Sequence, residues 1–347
     1  MLKGLFINNK KAKDSIHESG YMAYQCLKLS AKYDLDYIEV DEENREIQAG
    51  YDFYFFNYHP ITMRWLGTDQ LRKKLKNVIT MILEVAPGDA FVLCPPNDFD
   101  IYCALDPTIV SKGNLYAFPR PLEKIDFEIP VVKNEIPVIG SFGFATTGKG
   151  FEHVVEAVNK EFEQALIRIN IPFGDFVPDS KEYSEKLALL CKQLAKPGIE
   201  VQITHDFMSK EGLIKWCAAN DLNCFLYDRH MPGLAATTDQ AIVSGKPLSV
   251  SDNDTFRHIT TYLPPYPAFS LRDSLEKSPE IILKIHEDWC PQKFAERFEK
   301  VLEENRIEER KKKSGTLVLP LFTIKEKKTL KSSWKKLKRK LKKAFGA

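Results

Sequence analysis

Between Ile136 and Phe162 the chain reads IPVIGSFGFATTGKGFEHVVEAVNKEF, and this stretch limits what the chain can fold into more than any other. Pro137 to Phe144 is a short apolar run whose β-branched and aromatic residues suit a buried strand. Ala145-Thr-Thr-Gly-Lys-Gly150 is a turn. After it, Phe151, Val154, Val155, Val158 and Phe162 fall on one face of an α-helix. A strand, a glycine-bearing turn and a helix in that order form an anion site, because the free N–H groups and the positive end of the helix dipole point at the turn. Lys149 adds a full charge. Neither the Walker pattern nor GxGxxG can be written through these residues, so the plain alternative is a strand-to-helix turn with a solvated lysine.

Similar alternation continues beyond it. Ala165 to Ile171, Ile199 to Ile203 and Leu222 to Tyr227 read as strands, with helices at Lys181 to Ala195 and Lys210 to Ala219. Gly233 to Ser244 reads as a further helix, which Gly245-Lys-Pro247 ends before a strand at Leu248 to Ser251. Phe294, Phe298, Val301 and Leu302 mark a last amphipathic helix.

The first half has the same rhythm, with strands at Leu2 to Asn8, Leu35 to Val40, Tyr51 to Tyr58, Val78 to Val85, Ala90 to Leu93 and Asn114 to Phe118. Helices are expected at Ser15 to Ala31 and Met63 to Lys76. Such alternation predicts a parallel, doubly wound sheet, whose ligands bind beyond the carboxyl ends of the strands. Asn57, His59, Asn97 and Asp98 occupy those positions, as do His17 and Gly20 in the loop after the first strand. Pro119 to Pro137 holds four prolines and no period, as expected of a hinge. The sequence thus predicts a domain over 1–130, a second over 131–310, and a tail over 311–347.

GSFGFATTGKGFEHVVEAV resembles the opening of the C-terminal domain of GT-B glycosyltransferases of family 4, where a G-x-x-G-x-x-x-x-x-K-G stretch holds the donor's diphosphate. Lys149 and Gly150 match the lysine-glycine pair and Gly143 the second glycine, while Phe144 stands where an arginine is common. Asp239-Gln-Ala-Ile-Val-Ser-Gly245-Lys-Pro247 is similar to the family's E-A-x-A-x-G-x-P stretch, whose acid binds the ribose hydroxyls, and the likeness gives that role to Asp239. The family's other glutamate falls at Met231, with Arg229, His230, Gly233, Thr237 and Thr238 in its neighbourhood. Of the glycine pair in the family's first loop, Gly20 is present. The likeness covers Pro137 to about Arg310 well and the first half loosely. It implies an α/β, GT-B architecture of two Rossmann-like domains facing a cleft, an N-terminal acceptor domain and a C-terminal donor domain. The reaction it implies is metal-independent and retaining, with a nucleotide-sugar as co-substrate and no cofactor. His59 and His17 are the candidate bases. Asp98-Phe-Asp100 and Asp252-Asn-Asp254 have the spacing of a metal-binding acid pair, a pattern common by chance.

Charge is unevenly spread. Lys325 to Ala347 holds eleven Lys or Arg against Glu326, a net of +10, so the rest of the chain carries −8 of the total of +2. Leu330, Trp334, Leu337, Leu341 and Phe345 form one apolar stripe among those cations. A helix of this kind lies in the interface of an anionic membrane, which predicts a basic amphipathic C-terminal helix and an enzyme held peripherally on the cytoplasmic face. No stretch approaches the ~18 apolar residues of a membrane span, and seven scattered cysteines suit a reducing compartment. The expected partners are a nucleotide-sugar, a glycan or lipid-linked acceptor and the membrane, with no nucleic acid. Two rival readings remain: a non-catalytic nucleotide- or glycan-binding protein of the same fold, and a nucleic-acid binder acting through the tail.

Overall fold

The computed structural model describes residues 1–11, 16–93, 95–174, 179–229, 231, 233–309 and 315–322. Chain order begins β1 (Leu2–Asn9), α1 (Glu18–Leu27), β2 (Tyr33–Val40), β3 (Glu46–Gln48), β4 (Phe53–Asn57), α2 (Thr68–Lys74), β5 (Val78–Ile82), α3 (Ala90–Leu93), β6 (Ile101–Ala104) and β7 (Leu115–Ala117). Strands β2-β1-β4-β5-β6-β7 lie side by side, all parallel. Central strands such as β4, FYFFN, are buried at every position, as a sheet covered on both faces requires. Residues 118–137 then run without helix or strand, with Leu122 in the core of the second half.

The second half contains β8 (Val138–Phe142), α4 (Phe151–Glu161), β9 (Ala165–Asn170), α5 (Ser180–Leu194), β10 (Ile199–Thr204), α6 (Lys210–Ala218), β11 (Leu222–Phe225), α7 (Thr237–Val243) and β12 (Leu248–Val250). Its sheet is also parallel, in the order β10-β9-β8-β11-β12. Strand order reverses between β1 and β4 in the first sheet and between β8 and β11 in the second. A doubly wound sheet opens its ligand crevice at such points.

Three helices follow: α8 (Arg257–Thr260), α9 (Leu271–Asp288) and α10 (Pro291–Glu304). Although α10 comes after the second sheet, its Phe294, Phe298, Val301 and Leu302 are buried among Phe6, Phe53, Phe55 and Leu27 of the first. The chain therefore crosses back, and each of these large apolar side chains contributes about 1.5–3 kcal/mol by leaving water. Beyond it β13 (Thr316–Val318) pairs antiparallel with β3.

Several expectations are corrected. Ala90 to Leu93 is a short helix rather than a strand; four apolar residues alone do not distinguish the two periods. Helix α2 begins at Thr68, because residues 60–65 form a turn closed by Met63 N–H on the His59 carbonyl (2.9 Å). The 18-residue α9 is absent from the pattern read above, because Pro279 lies inside it and proline normally breaks a helix. Its start is marked by Ser270, whose hydroxyl accepts from Asp273 N–H. Cys26, Cys103, Cys191, Cys217, Cys224 and Cys290 are free thiols. No helix among the described residues is long and apolar enough to cross a membrane. The tail stripe, Leu330 to Phe345, lies outside the described residues.

If α10 belongs to the first core, Phe298→Ala lowers stability by about 3–5 kcal/mol and visibly lowers the thermal midpoint. Leu189→Ala, at an exposed position, changes it by less than about 0.5 kcal/mol. A negligible shift for Phe298→Ala would contradict the packing.

Candidate functional site

The turn after β8 is shaped by glycine. Gly143, Gly148 and Gly150 have φ of 137°, 75° and 64°, in the region where a side chain is disfavoured. At Gly150 a Cβ would also lie 1.8 Å from the Leu226 carbonyl oxygen, so the turn closes directly on the end of β11. That contact sets Lys149 against Tyr227. The ammonium donates to the Tyr227 hydroxyl (2.7 Å) and lies 4.4 Å from the ring centroid. The hydroxyl in turn sits 3.0 Å from Thr237 Oγ1, in the first turn of α7.

Arg229 uses the same ring, its guanidinium 5.2 Å from the Tyr227 centroid, and donates to Thr146 Oγ1 (3.2 Å). Its Nε is buried without a partner. Neither Lys149 nor Arg229 has a carboxylate partner among the described residues. Two cations therefore share one aromatic ring and neutral oxygens where a cleft begins, neither paired to a carboxylate among the described residues.

Two adjoining cavities meet at Arg229. One, of about 360 Å³, is lined by Gly143, Phe144, Lys149, Asn170, Phe207 and Thr237. The other, of about 350 Å³, lies between the halves and is lined by Glu18, Glu84, Asp106, Arg120, Lys210, Arg229 and Asp239. Leu234, Ala236 and Gln240 also face both. Phe144 and Phe207 confront each other across the first cavity, ring centroids 6.3 Å apart.

Asp239 is buried. Its Oδ2 accepts from Arg120 Nε (2.7 Å) and its Oδ1 has no partner. Burial raises its carboxyl above the usual range against the pull of Arg120. Only one oxygen therefore keeps an unused acceptor position, and that oxygen is itself buried at the wall of the cleft. Thr238 turns away from both cavities, donating to the Ala235 carbonyl and meeting His258 Nε2 at 3.1 Å. Gly233 approaches the other half closely: a Cβ there would lie 3.2 Å from Glu84 Cγ. His230 lies outside the described residues.

The remaining candidates separate. Gly20 is buried, and a Cβ on it would come within 2.2 Å of Asn57 Nδ2 and 2.3 Å of Asn8 Oδ1. Its place allows α1 to press on two strand-end asparagines rather than exposing backbone to a cavity. His17 points at Glu39 (2.7 Å), whereas its neighbours Glu18 and Ser19 line the cleft. His59 faces Glu84 (3.5 Å) and holds that carboxyl below its usual range. It lines a third cavity, of about 340 Å³, whose wall Ile82–Val85 it shares with the cleft. Arg257 bridges the halves: it pairs with Asp106 (2.6 Å) and donates to the Val85 carbonyl (2.9 Å). Asp98 accepts from Thr68 and Asp100 from Arg72. No group of three or more His, Cys, Asp or Glu among the described residues is placed to hold a metal ion. Tyr227, Arg120, Glu84 and Phe207 carry no signal of their own in the sequence; Arg120 stands out only as the basic residue of Pro119-Arg-Pro121.

With this geometry in hand, likeness to solved structures is informative. HepE from Anabaena, crystallised with UDP and glucose, superposes with a TM-score of 0.57 at 10% identity, over 88% of this chain and 100% of that one. The trehalose-6-phosphate protein from E. coli, bound with UDP-2-fluoro glucose, gives 0.56 at 10% identity, over 87% and 99%. The fold is GT-B. No family model matches the sequence, and a search of curated proteins finds no match.

His258 provides a check on the site's core. It is fully buried, and burial, with Arg120 and Arg257 nearby, pushes its imidazole well below the ordinary 6.5. The folded state thus binds fewer protons than the unfolded. The resulting stability is complete above the unfolded pKa and is lost as pH falls below it, by up to about 1.4 kcal/mol per pH unit. Thermal midpoints should fall from about pH 6.5 to about pH 5, and His258→Gln should flatten that part of the curve; an unchanged slope would refute the assignment. Separately, Arg120→Leu strands the buried Asp239 carboxylate and should cost about 3–5 kcal/mol, with less lost as pH falls toward the carboxyl's own raised pKa.

Proposed function

We propose that this chain is a glycosyltransferase that moves a sugar from a nucleotide-sugar to a glycan or lipid-linked acceptor. One observation carries the reading: Lys149 and Arg229, both set on Tyr227 and both without a carboxylate partner among the described residues, line the same cavity, and Arg229 also lines the cleft between the halves. Cations left without a paired carboxylate at such a place suit an anion, and a diphosphate spans two of them. The free N–H groups at the start of α4 add to the attraction. Similar structures that hold UDP or UDP-glucose support the reading.

In this reading the diphosphate lies against Lys149 and Arg229, and Asp239 Oδ1 accepts from a ribose hydroxyl. As the glycosidic bond to phosphate breaks, negative charge grows on the leaving oxygen, and the two cations stabilise it without reorganising. The acceptor reaches the cleft from the first half, where Glu84 and His59 stand. The reaction is assigned as retaining and metal-independent, hexosyl transfer in polysaccharide biosynthesis, with no cofactor. The domains divide at residues 130 and 310, and the basic tail holds the enzyme on the inner face of the membrane.

A second reading, a nucleotide- or glycan-binding protein without activity, is favoured by Met231, which lines the cleft half-exposed where the family has a glutamate. Donor hydrolysis separates the two. The purified chain should release nucleoside diphosphate from a nucleotide-sugar, and Lys149→Ala should abolish release and the thermal shift produced by UDP or GDP. A ligand at 100 times its Kd adds about 2.7 kcal/mol of stability, which is readily seen. A thermal shift that Lys149→Ala removes, without hydrolysis by the parent chain, would favour the binding protein. No shift with any nucleoside diphosphate would overturn both readings.

A further inference from the structure

Residues 315–322 follow α10 yet belong to neither sheet. They run along the first half as a strap: β13 zips onto β3, and Gly67 N–H donates to the Pro320 carbonyl (2.8 Å). Phe322 N–H then donates to the Trp65 carbonyl (2.7 Å), while Leu66 bridges Leu321. Leu319 is wholly buried in the core that includes Ile47, Met63, Trp65 and Leu66. The chain is therefore pinned at Phe322, against the turn formed by residues 60–65.

What surrounds that point is not finished as an ordinary solvent face. Ile61 is 59% exposed and Leu321 40%, and both belong to segments held together by the Trp65–Phe322 bond. Arg64 and Lys11 are exposed and have no carboxylate partner among the described residues. Lys11 is placed here because Asn9 donates to Thr62, beside Ile61. Only Thr323 and Ile324 separate Phe322 from Lys325, where the segment of net charge +10 begins. Three chain steps span about 10 Å at most. The segment of net charge +10 is thus joined by a short link to a face with two exposed apolar side chains and two cations that have no carboxylate partner among the described residues. On its other side the same turn supplies His59, Pro60 and Ile61 to the wall of the third cavity, next to the cleft.

We propose that the surface centred on Ile61 and Leu321, with Arg64 and Lys11 at its rim, docks on an anionic phospholipid bilayer. The apolar pair enters the headgroup boundary and the cations meet lipid phosphates. The strap fixes Leu321 to the turn that carries Ile61, so lipid binding orients the molecule with its third cavity beside the bilayer. This inference rests on the tail binding membranes, and goes beyond it by fixing which face of the fold meets the lipid.

Quenching by brominated lipids tests it. Full-length Ile61→Trp is mixed with vesicles of brominated phosphatidylcholine, with or without phosphatidylglycerol, and compared with the unsubstituted chain, whose Trp334 gives the tail's own signal. Ile61→Trp should gain quenching on the anionic vesicles alone, and Leu189→Trp, exposed on α5 of the other half, should gain none. In flotation, the pair Ile61→Asp and Leu321→Asp should lower vesicle partition roughly tenfold with an unchanged thermal midpoint. Vesicle binding by the full chain with residue 61 unquenched, or with partition unmoved by the paired substitution, would overturn the face and leave the tail reading standing. Failure of the full chain to bind anionic vesicles would overturn both.

Discussion

Two arginines that cross between the halves set the geometry on which the cleft depends. Arg257, from the second half, grips Asp106 and the Val85 carbonyl of the first, and Arg120 of the connecting segment grips Asp239. Buried pairs of this kind add little net stability, because desolvating both charges costs about as much as their attraction returns. Their effect is on alternatives: any other relation of the two sheets leaves a charge buried without its partner. The close approach of Gly233 to Glu84 and the wall shared by the cleft and third cavity both follow from that constraint.

Within the cleft, charge is distributed by what each cation is allowed to touch. Arg120, Lys210 and Arg257 are matched to Asp239, Glu123 and Asp106, so they are structural. Lys149 and Arg229 touch a phenol, a threonine and an aromatic face. Tyr227 can support both because its ring offers electron density to cations, while its hydroxyl accepts from Lys149 and meets Thr237. Neither cation is paired with a carboxylate among the described residues, and Asp206 is the acid that lines their shared cavity.

Much of this was legible in the residues. The apolar runs of β1, β4, β8 and β11 and the periodicity of α4 and α10 mark a doubly wound architecture, because burial on both faces of a parallel sheet demands them. Lys149 was legible because its turn has glycines where only positive φ fits. The pairing of Arg120 with Asp239, 119 residues apart, left no local trace, nor did the turn of Thr238 toward His258. Helix α9 was hidden by Pro279, and α3 by its brevity. His17, level with the cleft in sequence, faces Glu39 instead, since the direction of a side chain depends on the helix packing that Gly20 permits.

The sequence by itself determined two parallel α/β halves, an irregular connecting segment, and a glycine turn presenting a lysine, since hydrophobic period and positive-φ glycines are properties of short segments. Only the tertiary structure decided that Asp239 gives one oxygen to Arg120, that Arg257 is a bridge between halves, and that residues 315–322 return to the first half. Those outcomes depend on which distant groups share a buried space, where an unpaired charge or a bare backbone N–H is too costly to leave. No window of neighbouring residues contains that information.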